Sequence, residues 1–253
     1  MANEVDINLG TFDLDSTNNI AIEDVAVQIN KSVQESALPK YDGSVIPIGK
    51  RKSMIIRVRG SVTGSDYDDL RTKLDSLKNA VEDTAEKKFT TDDDRQAFVQ
   101  YRSFGYSYKF LRRFANFSAE FICSNPFWLS QTLNSDTRTP TSGVGYTIAN
   151  AGNATTRAKI TITAGLSAIS NDIKIQNTTT GETFQYRGAI NSSGVLIVNN
   201  RVDTADLVVT NDGTSDFPNF EGDFITLAPG NNTIVLTTAA SPTVKIEHRD
   251  AYK

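Results

Sequence analysis

The alternation of apolar and polar residues makes most of this chain β. Segment 54–60, MIIRVRG, places Ile56 and Val58 in a β-rich run with Arg57 and Arg59 interleaved. Successive strand side chains point to opposite faces, so a period of two predicts a half-buried strand. Segment 114–123 repeats the pattern: Phe117, Ala119, Phe121 and Cys123 alternate with Ser118 and Glu120, and Phe114 is read onto the same apolar face. Ile173 and Ile175 alternate with Lys174 and Gln176, and 195–198 and 233–236 are short apolar runs.

One segment changes period. Between residues 66 and 81 the apolar positions are Tyr67, Leu70, Leu74, Leu77 and Val81. Spacings of three and four stack these side chains on one helical face, predicting a helix over 66–82 with all five buried. Ser65 is placed to cap its first free N–H groups. Asp68, three residues on, completes a capping-box pattern and offsets the helix dipole.

Composition then divides the chain. Aromatic residues are densest over 41–130, including Tyr101, Phe104, Tyr106, Tyr108, Phe110, Phe127 and Trp128. Segment 133–145, LNSDTRTPTSGVG, is polar and rich in Pro, Gly and Ser, the composition of a linker. Beyond it the sequence is rich in Thr, Asn, Ile and Val, has no helical period and carries turn signals at roughly ten-residue intervals, as a β-sandwich does. The expectation is a mainly β chain with an N-terminal domain (1–133), a linker (134–145) and a C-terminal β-sandwich (146–253).

Charge narrows the partners. The 26 basic and 30 acidic side chains give a formal charge of -4, whereas duplex binding over a whole surface draws on excess Lys and Arg. The opening MANEVDINLG has neither the basic start nor the apolar run of a signal peptide, and no run of apolar residues has membrane-spanning length. The single cysteine cannot form an internal disulfide.

Catalytic chemistry finds little to build on. His248 is the only histidine, so any Ser-His-Asp, Cys-His or ordinary zinc arrangement must use it; a plain surface or strand histidine is the expectation. Cys123 lies on the apolar face of its strand and reads as buried filler. GSVIPIGKR (43–51) fails as a phosphate loop: five residues separate its glycines, Pro47 removes a donor, and Arg51 stands where a hydroxyl is needed. Asp92, Asp93 and Asp94 are consecutive, not alternating as calcium ligands are, and read as a solvated hairpin tip. YRSFGYSYKFLRR (101–113) mixes aromatic and basic residues as single-strand nucleic-acid binders do, but an aromatic-rich hairpin packed on the helix is the expected reading. No catalytic, cofactor-binding or metal residue is assigned, and the chain is not expected to be an enzyme.

The order of motifs resembles one family. A YDG turn (41–43) precedes the basic strand RKSMIIRVRGSV (51–62) and the helix DYDDLRTKLDSLKNAV (66–81). A hairpin follows, then FANFSAEFICSNPFWLS (114–130), closed by Asn-Pro-Phe-Trp (Asn125 to Trp128). This series resembles the N-terminal domain of siphophage distal tail proteins. NAGNATTRAKITI (150–162), IKIQNTTTGETFQY (173–186) and LAPGNNTIVL (227–236) look like that family's C-terminal sandwich, which is similar to galectins and carbohydrate-binding modules.

The resemblance implies a β-sandwich-like N-terminal domain with one helix and a C-terminal galectin-like sandwich. It also implies a homohexameric ring at the virion's tail tip, assembled in the host cytoplasm between the major tail tube protein and the tail-associated hub or fibre protein. DNA would pass through the lumen without specific binding, so that lumen is expected to be neutral or acidic. A carbohydrate-binding module for host-surface glycans is the alternative. Against it, the second half has no Trp, and Phe184, Tyr186, Phe217, Phe220 and Phe224 read as core.

Overall fold

The computed structural model describes residues 7–15, 18–31, 36–37, 44–45, 51–82, 85–91, 93–109, 113–170, 173–203 and 207–253. The YDG turn, Asp92 and most of 43–51 lie outside these. The chain divides into two compact units, Met1–Trp128 and Leu129–Lys253.

The first unit contains β1 (Asn8–Leu9), β2 (Phe12–Asp13), β3 (Ile20–Lys31), β4 (Ser36–Ala37), β5 (Ser44–Val45), β6 (Arg51–Thr63), α1 (Tyr67–Val81), β7 (Lys87–Thr90), β8 (Arg95–Lys109) and β9 (Phe114–Cys123). Its antiparallel path runs β2-β1-β7-β8-β9-β6-β3. The long β8 joins two ladders: residues 96–99 pair with β7, and residues 100–109 pair with β9 across a register shift between Tyr101 and Ser103.

Cross-strand partners set the core face. Ile56 lies opposite Phe121, Val58 opposite Ala119, and Val62 opposite Ala115. All six are buried and share a cluster with Leu70, Leu74, Leu77 and Val81 of α1. Gly60 lies opposite Phe117; a Cβ there would come within 2.4 Å of the Ala21 carbonyl and 3.0 Å of the Phe117 ring. Phe114 departs from the expected face. It has the other parity, and Ala115 takes the inward place at 0% exposure.

The helix forms where its spacing placed it, with two differences. Asp66, not Ser65, is the N-cap: its carboxylate accepts from Asp69 N–H at 2.9 Å. Asp69 in turn accepts from the N–H of Ser65, the residue before the cap, at 2.7 Å, so the cap sits one residue later than expected and the return bond reaches one residue further back than in a capping box. Tyr67 stays 37% exposed, because the first turn reaches beyond the apolar sheet centre.

β10 (Trp128–Ser130) spans the boundary between the units. The second unit continues with β11 (Asn134–Arg138), β12 (Gly145–Asn150), β13 (Thr156–Thr163), β14 (Ile173–Asn177), β15 (Thr183–Tyr186), β16 (Val195–Asn199) and β17 (Val208–Asn211). Then come β18 (Thr214–Ser215), β19 (Phe220–Gly222), β20 (Thr226–Leu227), β21 (Gly230–Thr237), β22 (Thr243–His248) and β23 (Ala251–Tyr252). Two antiparallel sheets, ordered β11-β22-β13-β16-β17-β18 and β12-β21-β14-β15-β19, share one core of Ile, Leu, Val and Phe, the architecture of a sandwich. Buried amides fix its turns: Asn177 Nδ2 donates to Thr226 O at 2.7 Å and to Asn232 Oδ1 at 3.1 Å.

The expected linker at 134–145 is corrected. Asn134–Arg138 pairs along its whole length with β22, the boundary falls at Trp128/Leu129, and Gly145–Asn150 is a strand. Composition misleads here because Asn134–Arg138 is an edge strand that buries no apolar side chain, so its polarity resembles that of a free chain. β22 also pairs with β13, placing it in the second unit's own sheet.

Candidate interaction surfaces

His248 is a strand histidine 3% exposed, with Nε2 3.0 Å from Ala149 O and 3.5 Å from Asp250 Oδ1. Burial holds its pKa below the ordinary histidine value, against the raising pull of Asp250. Cys123 is fully buried and its thiol is pushed up to about 12, first by burial and then by Glu86, which suppresses the nucleophilic thiolate. Asp93 and Asp94 are exposed at the β7–β8 turn. Among the described residues, no three or more His, Cys, Asp or Glu are grouped to hold a metal ion, and no helix is long and apolar enough to cross a membrane. A hollow of about 540 Å³ between 165–170 and 239–241 is lined by Gly, Ala, Ser, Leu and Ile, which supply no acid–base pair.

The aromatic residues of the second unit separate by depth. Phe184 and Tyr186 are core at 0% exposure, as expected. Phe220 and Phe224 are half-buried, with centroids 4.8 Å apart, while Phe217 is 42% exposed and so is not core. In the first unit Asn125 Nδ2 donates to Phe127 O at 3.1 Å, fixing the turn that brings Trp128 to 6.3 Å from Phe89.

What the first unit leaves uncovered is more informative. One helix covers the sheet centre but not its flanks. On one flank, β3 pairs only with β6 among the described residues and ends the strand order. Val25 and Val27 lie opposite the core residues Val58 and Ile56, yet Val27 is 42% exposed. Exposed Glu23 and Asp24 make this edge acidic.

On the other flank, the β7 ladder stops at Val99, while β8 continues to Lys109. There Phe104, Tyr106 and Tyr108 lie opposite Ala119, Phe117 and Ala115, on the core-facing side. Their rings form a ladder, with Phe104–Tyr106 at 6.1 Å, Tyr106–Tyr108 at 5.5 Å and Tyr108–Tyr67 at 5.7 Å. The expected hairpin packing on the helix is therefore met only at the rim. Tyr106 is 47% and Tyr108 37% exposed, and desolvation together with Tyr67 pushes the Tyr108 hydroxyl up to about 12. Arg102, Lys109 and Arg113 are exposed on this hairpin, so this flank is basic.

The opposite sheet face is polar and partly neutralised. Glu120 accepts from Arg57 Nε at 3.1 Å and lies 2.9 Å from Arg102 Nη1. The Arg57 hydrogen bond first, and the Arg102 charge with it, hold its carboxyl below the usual range. Around this trio lie Asp24, Arg59, Ser61, Ser103, Gly105, Ser107, Asn116 and Ser118, so the face carries three arginines against two carboxylates.

Comparison with known proteins follows the same division. Residues 151–252 match the family model described as siphovirus-type tail component, C-terminal domain. The whole chain is similar in fold to SPP1 Dit (gp 19.1), a paradigm of the hub adsorption apparatus in phages infecting Gram-positive bacteria. That match has a TM-score of 0.75 and 17% identity and covers 96% of this chain and 98% of that one. A chain of the phage P2 baseplate in its activated conformation with Ca is similar at TM-score 0.51 and 12% identity, covering 98% of each. No curated protein sequence matches significantly. Residues 151–252 thus match a siphovirus-type tail component domain, and the chain shares the fold of SPP1 Dit.

Proposed function

We propose that this chain, a siphophage distal tail protein by fold and by its C-terminal domain, is a structural adaptor of the phage tail that closes into a six-fold ring through its first unit. The two unlike flanks of the β3-β6-β9-β8 ladder carry this reading. An exposed edge strand is a template for pairing, and proteins normally cover it. Here one flank offers an acidic edge with Val25 and Val27, and the other a basic one with Phe104, Tyr106 and Tyr108. Opposite charge and matching apolar strips favour a head-to-tail contact between copies, and a repeated head-to-tail contact closes into a ring when its rotation allows.

In this arrangement the ring joins the tail tube to the tip hub and adsorption apparatus, and its function is shape. The face bearing Arg57, Arg102 and Glu120 turns to the lumen. Glu120 and Asp24 offset two of its three arginines, Arg57, Arg59 and Arg102, so a lumen lined by this face is weakly basic and not neutral or acidic as expected, and small hydroxyl side chains add few groups to hold DNA.

Mass determination at rising protein concentration and several salt concentrations tests the ring, together with microscopy of tail tips. A closed six-fold species, in solution or on tails, is the expected result. Persistent monomers in both settings, or a ring built by the second unit alone, would overturn the proposal.

A further inference from the structure

The segment that composition marks as a linker is a strand held almost entirely by polar contacts. β11 reads NSDTR, and between residues 131 and 147 only Pro140 is buried. β11 forms the end of its sheet and, among the described residues, pairs on one side only, with β22. Leu133 just before it is 37% exposed. Strands anchored by apolar side chains separate only when the core opens. A strand without them can leave while the core stays closed.

Side-chain bonds gather at the two ends of this segment. At its start Arg249 Nη1 donates to the carbonyls of Ser130, at 3.3 Å, and Gln131. Arg249 Nε donates to Asp203 Oδ2 at 2.8 Å, and Arg201 Nε donates to Asp203 Oδ1 at 2.7 Å. The Asp203 side chain is 6% exposed, so this carboxylate fixes the Arg249 guanidinium. Next door, Asn134 Nδ2 donates to Asp250 Oδ2 at 3.0 Å, and Ser130 N–H donates to Asp250 O at 2.8 Å. At the far end Arg138 bonds Asp136, donates to Thr147 O at 3.3 Å and lies 5.2 Å from the Tyr146 ring centroid.

We infer that residues 131–139 are a detachable strap, latched by Arg249 on Asp203, that peels from β22 while the rest of the second unit, including the β10–β23 pairing that precedes it, stays folded. Pro140 sets the far limit of peeling. Peeling also bares the outer edge of β22 beside β13. The inference does not depend on ring formation, since every contact it uses lies within the second unit.

Hydrogen exchange on the full-length chain tests it. Amides of β11 should exchange at least about tenfold faster than those in the β13–β22 ladder, because their opening does not require unfolding of the core. Arg249→Gln should raise exchange over 131–138 several-fold, with the melting transition of the second unit nearly unchanged. A Thr137→Cys, Lys245→Cys pair joins cross-strand partners. Once oxidised, it should protect β11 and remove proteolytic cuts within 131–139, and reduction should restore both. Equal protection of β11 and β13 would overturn the inference. So would an Arg249→Gln variant in which every strand of the second unit loses protection together, because the arginine would then be an ordinary stabilising contact. Cuts within 131–139 that persist in the oxidised pair would also defeat it.

Discussion

Leu74 lies at the middle of the buried α1 face and is 2% exposed. Leu74→Asp removes its packing and buries an unpaired carboxylate, so destabilisation of roughly 3–5 kcal/mol is expected in thermal or urea unfolding. An unchanged melting temperature would show that this face is not core. His248 gives a pH signature. Its folded pKa lies below the ordinary 6.5 because burial favours the neutral ring. As pH falls below 6.5, the unfolded chain takes up a proton that the folded chain resists, so stability falls toward acid through that window. The paired carboxylates Glu120, Asp203 and Glu247 also have lowered pKa values, but they lose their contribution only below the ordinary carboxylate range, at lower pH. His248→Gln should therefore flatten the stability curve between about pH 6.5 and 5 and leave the more acidic limb in place. The same slope in both proteins would assign the window to another group.

At the scale of elements, caps and edges matter more than propensity. Asp66 satisfies the Asp69 N–H at the start of α1, with Asp68 and Asp69 placed favourably in the first turn. Asp66→Ala should cost about 1 kcal/mol, and Ser65→Ala less, since it keeps the main-chain N–H bond to Asp69 and loses only the exposed 3.1 Å hydroxyl bond to the same carboxylate. Equal or reversed losses in chemical denaturation would restore Ser65 as the cap. β8 shows how one strand takes two environments. Ala97 and Val99 are buried where β7 flanks it, and Tyr106 and Tyr108 are exposed where the β7 ladder has ended. The alternation of Ala97 and Val99 resumes, shifted by one residue, in Phe104, Tyr106 and Tyr108, so it cannot reveal where cover stops.

For the whole molecule, the proposed ring makes the exposed flanks separable from stability. Val27→Glu and Tyr106→Glu each change a residue more than 40% exposed, so folding stability should shift by no more than about 0.5 kcal/mol. Each should nevertheless abolish ring closure. Mixed together, the two variants retain one intact pair of flanks and should form a capped dimer, read by light scattering. A mixture that forms rings, or variants that each still assemble, would place the contact elsewhere. The acidic β3 edge and the basic β8 hairpin also predict slower association as salt rises.

The mainly β character, the single helix and the four apolar anchors of its face were determined by the sequence alone. Solvent is excluded from one face of each element, and periods of two and of three to four record that exclusion locally. The motif order likewise carried the family resemblance over both units. Which strands lie side by side was decided only in three dimensions. Arg57 meets Glu120 across 63 positions, and β22 lies between β11 and β13. Such pairings follow from the joint packing of distant segments, which no local period encodes. The exposed places of Tyr67, Phe217 and Tyr106, and the strand at 134–138, were hidden for the same reason. Composition records the surroundings a residue tolerates, and tertiary structure decides which neighbours cover it.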